Sequence, residues 1–401
     1  MTRLIEILIS FAIVAALMLI VGVVLPSSRH LNESVETNRK MTIVYDTVNS
    51  LRRFKDWNPL VLRDPEAKLT LSGPESGVGA KLSWDSNVGQ VGDGSWEIVE
   101  SEPGKRVKYA IQDNRRGHDK FTEFTLTPTG RGTVKRNVQI TQTYDVQYGW
   151  NLIGRYAGLY VSRHVGEDMK LGLQRLTNML ASVPNIDYAV EGSKMRGMAE
   201  VERPAEDLLV VKAGAVERNN DKIKSSMKSN MEWIKRVMDA NDLVAAGPMR
   251  IISTELGREN YTFDIAQPVK KKGSADDDKA ADKTDDEKNA TASADEGKEG
   301  DVDELTFTVD SLTPVVAAGE PLDVKIPDDA PVEYVQTEAG HVAVAYYTGF
   351  MAELDNVRNA LRAWALTQGY EVVGRPYEIY KSGIDKSFTA EGEYEVFWTL
   401  K

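Results

Sequence analysis

The sequence predicts an α+β chain in three parts: an apolar N-terminal helix, a sheet closed by one long helix, and a duplicated β-α-β-β domain. Three observations predict it. Residues Leu4–Leu25 are apolar apart from Glu6, Ser10 and the small Gly22. Strand-like runs between residues 67 and 143 lead into an apolar stripe at helical spacing. After residue 204 a β-α-β-β pattern occurs twice, offset by about 130 residues.

The apolar run is long enough to cross a bilayer, for which about 20 residues suffice. Glu6 lies in the first turns, within reach of the interface, and Pro26-Ser27-Ser28 ends the helix. A cleaved signal peptide is disfavoured. The run exceeds the usual apolar core of such a signal, and no small-x-small cleavage site follows. Residues 1–26 therefore read as a transmembrane anchor. Arg3 precedes it, while Arg29, Arg39 and Lys40 follow it, so the positive-inside count leaves the side of the soluble body open.

Residues 29–185 read as the first soluble domain. Arg29–Glu36 alternates around Leu31 and Val35 as an opening strand, and Met41–Leu51 follows as a helix. Runs at 67–71, 80–84, 94–100, 107–112, 120–128 and 133–143 are separated by Gly, Pro and Asp turns. Val165, Met169, Leu173, Leu176 and Leu180 recur at steps of three and four, which is one face of a helix. A sheet curled around such a helix is a helix grip, with a cavity between them.

The order of Trp57-Asn58-Pro59, Gly77-Val78-Gly79-Ala80 leading to Trp84, Gly92-Asp93-Gly94-Ser95-Trp96, Glu102-Pro103-Gly104 and a final helix with Gly172-Leu173-Gln174-Arg175-Leu176 resembles the START-like superfamily, in its polyketide cyclase/dehydrase-like (SRPBCC) branch. The resemblance implies a cavity for lipids, steroids, polyketides or other hydrophobic molecules. Trp57, Trp84 and Trp96 are candidate cavity residues; core packing is the plainer role of each, because aromatic rings dominate cores.

A polar linker is expected over 186–203, followed by a second domain over 204–401. Its first half reads as strand Leu208–Gly214, helix Asn219–Asn241, and strands at Ala246–Ile252 and Tyr261–Gln267. The second reads as Val342–Tyr347, Met351–Gln368, Gly374–Tyr380 and Glu393–Leu400. Pro248 aligns with Pro376, and Trp233 roughly with Trp364, giving a pseudo-two-fold domain. The Ala246-Gly247-Pro248 turn, Tyr346-Tyr347-Thr348-Gly349-Phe350 before a Trp-bearing helix, and Arg375-Pro376-Tyr377-Glu378-Ile379-Tyr380 resemble the gyrase-inhibitory-protein-like family, the effector-binding module of AraC-type regulators.

That resemblance implies an acidic residue, here Glu378, in a cleft walled by aromatics for cationic or amphipathic molecules. Tyr347, Trp364, Tyr377 and Tyr380 are the aromatic candidates. A carboxylate beside aromatic faces suits organic cations. The same alignment sets Arg250 at the position of Glu378, which opens a second reading in which the two charges pair with each other or with neighbours. Residues 270–302, rich in Ala, Asp, Lys and Glu without aromatics, read as a disordered acidic insert.

Composition narrows the function. Forty-one per cent hydrophobic residues support packed cores in a 401-residue chain. The net charge of −12 disfavours nucleic-acid binding. The stretch 273–301, with eleven acidic and four basic residues, supplies −7 of it, which leaves an ordinary −5 elsewhere. No basic helix-turn-helix segment is recognisable. The absence of cysteine excludes disulfides and thiolate chemistry. The four histidines, at 30, 118, 164 and 341, form no metal-binding motif, and no nucleotide, hydrolase or zinc-protease motif is present.

The leading expectation is thus a binding or sensing protein of a bacterial inner membrane, single-pass, with no catalytic residue, metal or cofactor. Its partners would be the bilayer and a small hydrophobic or cationic amphipathic molecule. Two others stand beside it: an enzyme of cyclase, hydratase or small-molecule hydrolase type, and a protein-interaction or toxin-neutralising envelope protein.

Overall fold

A computed structural model describes residues 2–89, 91–131, 134–190, 194–256, 259–273 and 311–401. They form two compact units, Met1–Ala189 with Leu366–Gly369, and Val190–Ala365 with Tyr370–Lys401.

The first unit begins with helix α1 (Thr2–Val24). Its apolar span Arg3–Val24 has a mean hydropathy of 3.1, with 6% buried, so it is long and apolar enough to cross a membrane and is not packed as a core helix. After Pro26 the chain enters β1 (Ser28–Thr37) and α2 (Met41–Val48), then two single-turn helices, α3 (Phe54–Trp57) and α4 (Leu60–Arg63). The sheet continues with β2 (Lys68–Ser72), β3 (Lys81–Asp85), β4 (Gly94–Glu102), β5 (Arg106–Asp113), β6 (His118–Arg131) and β7 (Val134–Gln147). All neighbours are antiparallel, in the order β1-β7-β6-β5-β4-β3-β2.

Period-two burial explains the sheet's inner face: along β5, Val107, Tyr109 and Ile111 are buried while their neighbours are partly or fully exposed. Between β7 and the last helix lies a segment the sequence reading did not resolve: α5 (Leu152–Ala157), a 3₁₀ turn (Gly158–Tyr160) and a π turn (Ser162–Gly166). Helix α6 (Glu167–Ala181) then buries Met169, Leu173, Leu176 and Leu180 of the expected stripe as the long closing helix of the helix grip, while the stripe's first residue, Val165, lies half-buried in the π turn before it.

The second unit starts earlier than expected. Met195–Arg203, within the expected linker, forms β8 and pairs with β14 (Gly340–Thr348). Between them run β9 (Asp207–Glu217), α7 (Asn220–Ala240), the short β10 (Leu243–Ala245), β11 (Arg250–Leu256), β12 (Asn260–Lys271) and β13 (Val332–Gln336). After β14 come α8 (Leu354–Thr367), β15 (Val372–Tyr380), α9 (Gly383–Lys386) and β16 (Glu393–Leu400). The sheet order is β13-β9-β12-β11-β15-β16-β14-β8, with β11 and β15 antiparallel at its centre. Strand β12 runs on to Lys271, into the first residues of the expected acidic insert; residues 274–302 of that insert lie outside the described residues.

Register corrects the expected equivalence of Arg250 and Glu378. Arg250 pairs with Ile379 and Ile251 with Glu378. Cross-strand partners share a face and successive residues alternate. Arg250, Tyr377 and Ile379 therefore share one face, and Glu378 points to the other. Strand irregularities at different places, Ser253/Glu255 in β11 and Val373/Tyr377 in β15, defeat a proline-to-proline alignment.

Candidate functional site

In the first unit, α3, the sheet and α6 bring a group of aromatic rings together. Phe54 sits at its centre. Its ring lies 5.6 Å from that of Trp57, 6.4 Å from Trp84 in a near-parallel stack, and 5.2 Å edge-on from Trp96. Trp57 also meets Phe124, and Trp96 meets Tyr109. Local chemistry sets this up. The Asn58 side chain accepts from the Leu60 amide and turns the chain between α3 and α4. Gly172 on α6 makes room for Pro59, whose Cδ would lie 3.3 Å from a Cβ there.

Phe54 and the three tryptophans wall a cavity of about 100 Å³, which Val165, Asp168 and Met169 border from the closing helix and the turn before it. All three candidate tryptophans line it, and all three are also buried packing residues, with 2%, 6% and 8% exposure for Trp57, Trp84 and Trp96. The two roles weighed for each ring coincide. The indole nitrogens of Trp57 and Trp84 and the amide oxygen of Gln142 are buried without a hydrogen-bond partner among the described residues.

Part of the wall is charged. Arg63 donates to Asp168 at 2.5 Å, and Arg115 stands 4.0 Å from the same carboxylate. Burial pushes the Asp168 carboxyl above its usual range, and the two guanidiniums only partly oppose this. Asp113 accepts from Lys120. Burial, reinforced by Asp113, raises the Tyr144 phenol so that it stays protonated at neutral pH. Phe54, Arg63, Arg115, Tyr144 and Asp168 were not singled out in the sequence. For Asp168 a signal existed: an acidic residue beside Met169 at the start of the apolar stripe.

The residues chosen in the second unit divide between two faces. Glu378 is fully enclosed, and its Oε1 accepts from Arg358 Nε on α8. Ser253 Oγ lies 3.5 Å from Oε2, and Arg358 also donates to the Tyr261 hydroxyl at 3.3 Å. Tyr380 borders this group; its ring meets Tyr394, which stacks on Tyr347, whose hydroxyl donates to Glu353 at 2.6 Å. Tyr377 lies on the other face, stacked on Phe397 and 5.2 Å from the Arg250 guanidinium. Arg250 makes a two-pronged pair with Glu206 at 2.9 and 2.6 Å. Trp364 packs near Tyr370, 6.3 Å between rings. The structure thus gathers Glu378, Tyr347 and Tyr380, and leaves Tyr377 and Trp364 elsewhere.

Arg250 and Glu378 do not pair with each other; each has its own buried partner. The Glu378 charge is matched by a guanidinium, and the adjoining cavity of about 40 Å³ is lined by Arg218, Tyr261, Met351 and Arg358, a basic lining. In this conformation no carboxylate there is open to a cation. Among the described residues no cluster of metal-ligating side chains occurs.

Among the comparisons with known proteins, the match to a family model bears on the first unit. Residues 28–180 match the family described as polyketide cyclase / dehydrase and lipid transport. No curated protein matches the sequence. Similar solved structures include norcoclaurine synthase from Thalictrum flavum, in complex with dopamine and hydroxybenzaldehyde. It is 14% identical over 40% of this chain and 91% of that one, with a TM-score of 0.30. The Zhui aromatase/cyclase from a Streptomyces species is 12% identical over 38% and 94%, at 0.29. The EcmrR C-terminal domain is 13% identical over 51% and 97%, at 0.33. Identities and scores this low carry no inference about activity. The family match and the sheet-and-helix architecture together make residues 28–180 a polyketide cyclase/dehydrase-like domain.

Proposed function

We propose that the chain is a membrane-anchored binding protein whose first unit takes up a small, hydrophobic, ring-bearing molecule between its sheet and α6. One observation carries this reading: Phe54 and three tryptophans converge on a cavity whose wall is charged at Arg63 and Asp168. A cavity of about 100 Å³ is comparable with the roughly 150 Å³ apolar void that accommodates benzene in another protein. One ring fits; a fused polycycle requires side chains to move.

Binding is preferred to catalysis because both carboxylates at the cavity, Asp113 and Asp168, are held by cations and neither stands ready as a general base. The anchor is α1: 23 residues at 1.5 Å each span about 35 Å, more than the hydrocarbon core.

For the second unit we propose an internal duplication. The halves β9-α7-β11-β12 and β14-α8-β15-β16 meet at β11 and β15, and the strand preceding each half edges the other. Glu378 then serves as half of a buried ion pair. A cationic ligand would bind there only by displacing Arg358.

The test is ligand-dependent stabilisation of the full chain in detergent, using phenols, aromatic ketones, fatty acids and cationic amphiphiles. At a hundredfold excess over Kd a true ligand adds about 2.7 kcal/mol. A single-ring ketone or phenol that stabilises the wild type but not Trp57→Leu supports the proposal. Stabilisation by cationic amphiphiles alone, abolished in Glu378→Gln, would replace it with a receptor in the second unit.

A further inference from the structure

The segment between β7 and α6 exposes large apolar side chains that none of the described residues covers. Trp150 is 82% exposed, Ile153 63% and Tyr160 59%, with Leu159 beside them. Trp150 lies in the turn before α5, Ile153 on α5, and Leu159 and Tyr160 in the 3₁₀ turn, while Gly154, Arg155 and Gly158 between them are buried. An apolar patch turned outward is the reverse of what core packing demands.

Its neighbour is α1. A Cβ on Gly22 would lie 3.3 Å from both Leu152 Cβ and Tyr156 Cε2, so α5 rests on the last turns of the apolar helix. Tyr156 donates to the Met18 carbonyl at 2.6 Å. Arg155, almost fully buried, donates to the carbonyls of Gly22, Val23 and Leu25 and, through Nε, to Gly149. The guanidinium thereby satisfies the C-terminal carbonyls that a helix leaves unpaired and fixes α5 to the anchor.

We infer that Trp150–Tyr160 is an interfacial platform that inserts into the same bilayer leaflet as the end of α1, so that the cavity faces lipid and receives its ligand from the membrane. The inference rests on the membrane-anchor reading. If α1 spans, Met18 lies about 9 Å below Val24 along the helix, and interfacial elements sit about 5–10 Å deep. Tryptophan and tyrosine concentrate at that depth. Charge agrees: between residues 147 and 166 there is no Asp or Glu, and Arg163 is exposed, in a chain of net charge −12. A basic, aromatic surface suits anionic headgroups. The chain then passes within a few residues to Val165, Asp168 and Met169, which line the cavity.

The chain has no cysteine, which permits single spin labels. Labels at Ile153→Cys, Tyr160→Cys, Ile13→Cys and Leu71→Cys would be read in the full chain, reconstituted in phosphatidylethanolamine/phosphatidylglycerol vesicles. Oxygen and a water-soluble nickel chelate serve as relaxants. Leu71, on the opposite edge strand from β1, is the aqueous control. The expected result is loss of nickel accessibility at 153 and 160 relative to 71, with oxygen accessibility gained, and a deeper position at 13. Nickel accessibility at 153 and 160 equal to that at 71, with 13 deep, would overturn the platform and leave the anchor standing. Shielding of 153 from both relaxants would assign the patch to a second copy or another protein. An aqueous reading at 13 would remove the anchor and the platform together.

Discussion

Gly94 lies directly beneath the indole of Trp84. The two are cross-strand partners, and a Cβ on Gly94 would stand 2.2 Å from Trp84 Cζ2 and 2.5 Å from the Gln112 carbonyl oxygen. The missing side chain is what allows the indole to lie across β4 and reach the cavity wall. Gly94→Ala must move a ring or a strand. Overpacking of this kind costs about 1–3 kcal/mol, against which the lower chain entropy of alanine returns about 0.5–1 kcal/mol. A net loss in denaturant midpoint with a changed near-ultraviolet circular dichroism spectrum is expected. An unchanged spectrum would mean that Trp84 does not lie over Gly94.

The pairing of Arg63 with Asp168 gives a signed prediction. Burial raises the Asp168 carboxyl, and Arg63 is the leading opposing influence, ahead of Arg115. Folding therefore binds this proton more tightly than the unfolded chain does. Asp168 favours the fold at acid pH, and that contribution is lost as pH climbs from the unfolded carboxylate value through the folded one. The stability of wild type relative to Asp168→Asn should fall across that window. Arg63→Gln should move the folded midpoint further up, and a downward movement would show that Arg63 does not face the carboxylate.

How much of this was legible beforehand follows from the range of the interactions. Alternation in β5 and the stripe Met169, Leu173, Leu176 and Leu180 are local periodicities, so sheet and closing helix could be read directly. The three tryptophans could be named as residues. Their convergence on Phe54 could not, because it arises from α3, β3 and β4 meeting across the fold. Ion pairs are less legible still: Arg358 and Glu378 are twenty residues apart on different elements. Faces failed where irregularities intervened, as when Pro248 and Pro376 suggested that Arg250 and Glu378 were equivalent. The platform escaped notice because six residues of α5 fall below the length at which helical periodicity is recognised.

Arg155 makes a further test of the anchor's attachment. Its Nη1 is shared among three carbonyls at the end of α1 and its Nε donates to Gly149, and a hydrogen bond from a charged group contributes about 1.5–3 kcal/mol. Arg155→Gln should loosen residues 25–29 without unfolding the sheet. Amide exchange there should accelerate and trypsin should cut after Arg29 sooner, while α6 exchanges as before. Unchanged exchange at 25–29 would mean that the carbonyls are satisfied without Arg155.

The Glu378–Arg358 pair separates a structural role from a receptor role by its thermodynamics. Both side chains are buried, Glu378 completely. Removing one partner of such a pair leaves an uncompensated buried charge and costs about 3–5 kcal/mol, whereas replacing both by apolar groups of similar volume is often neutral or stabilising. Glu378→Gln and Arg358→Met should each destabilise the second unit by several kcal/mol, and the double replacement Glu378→Leu with Arg358→Met should recover most of the loss. The expected coupling is therefore large and the two costs non-additive. A carboxylate held open for a cation behaves differently: with no ligand present, its neutralisation would relieve the site and leave stability unchanged or higher. Urea denaturation of the three variants decides between them, because additive losses would contradict the pair and a stabilising Glu378→Gln would restore the cation-binding reading.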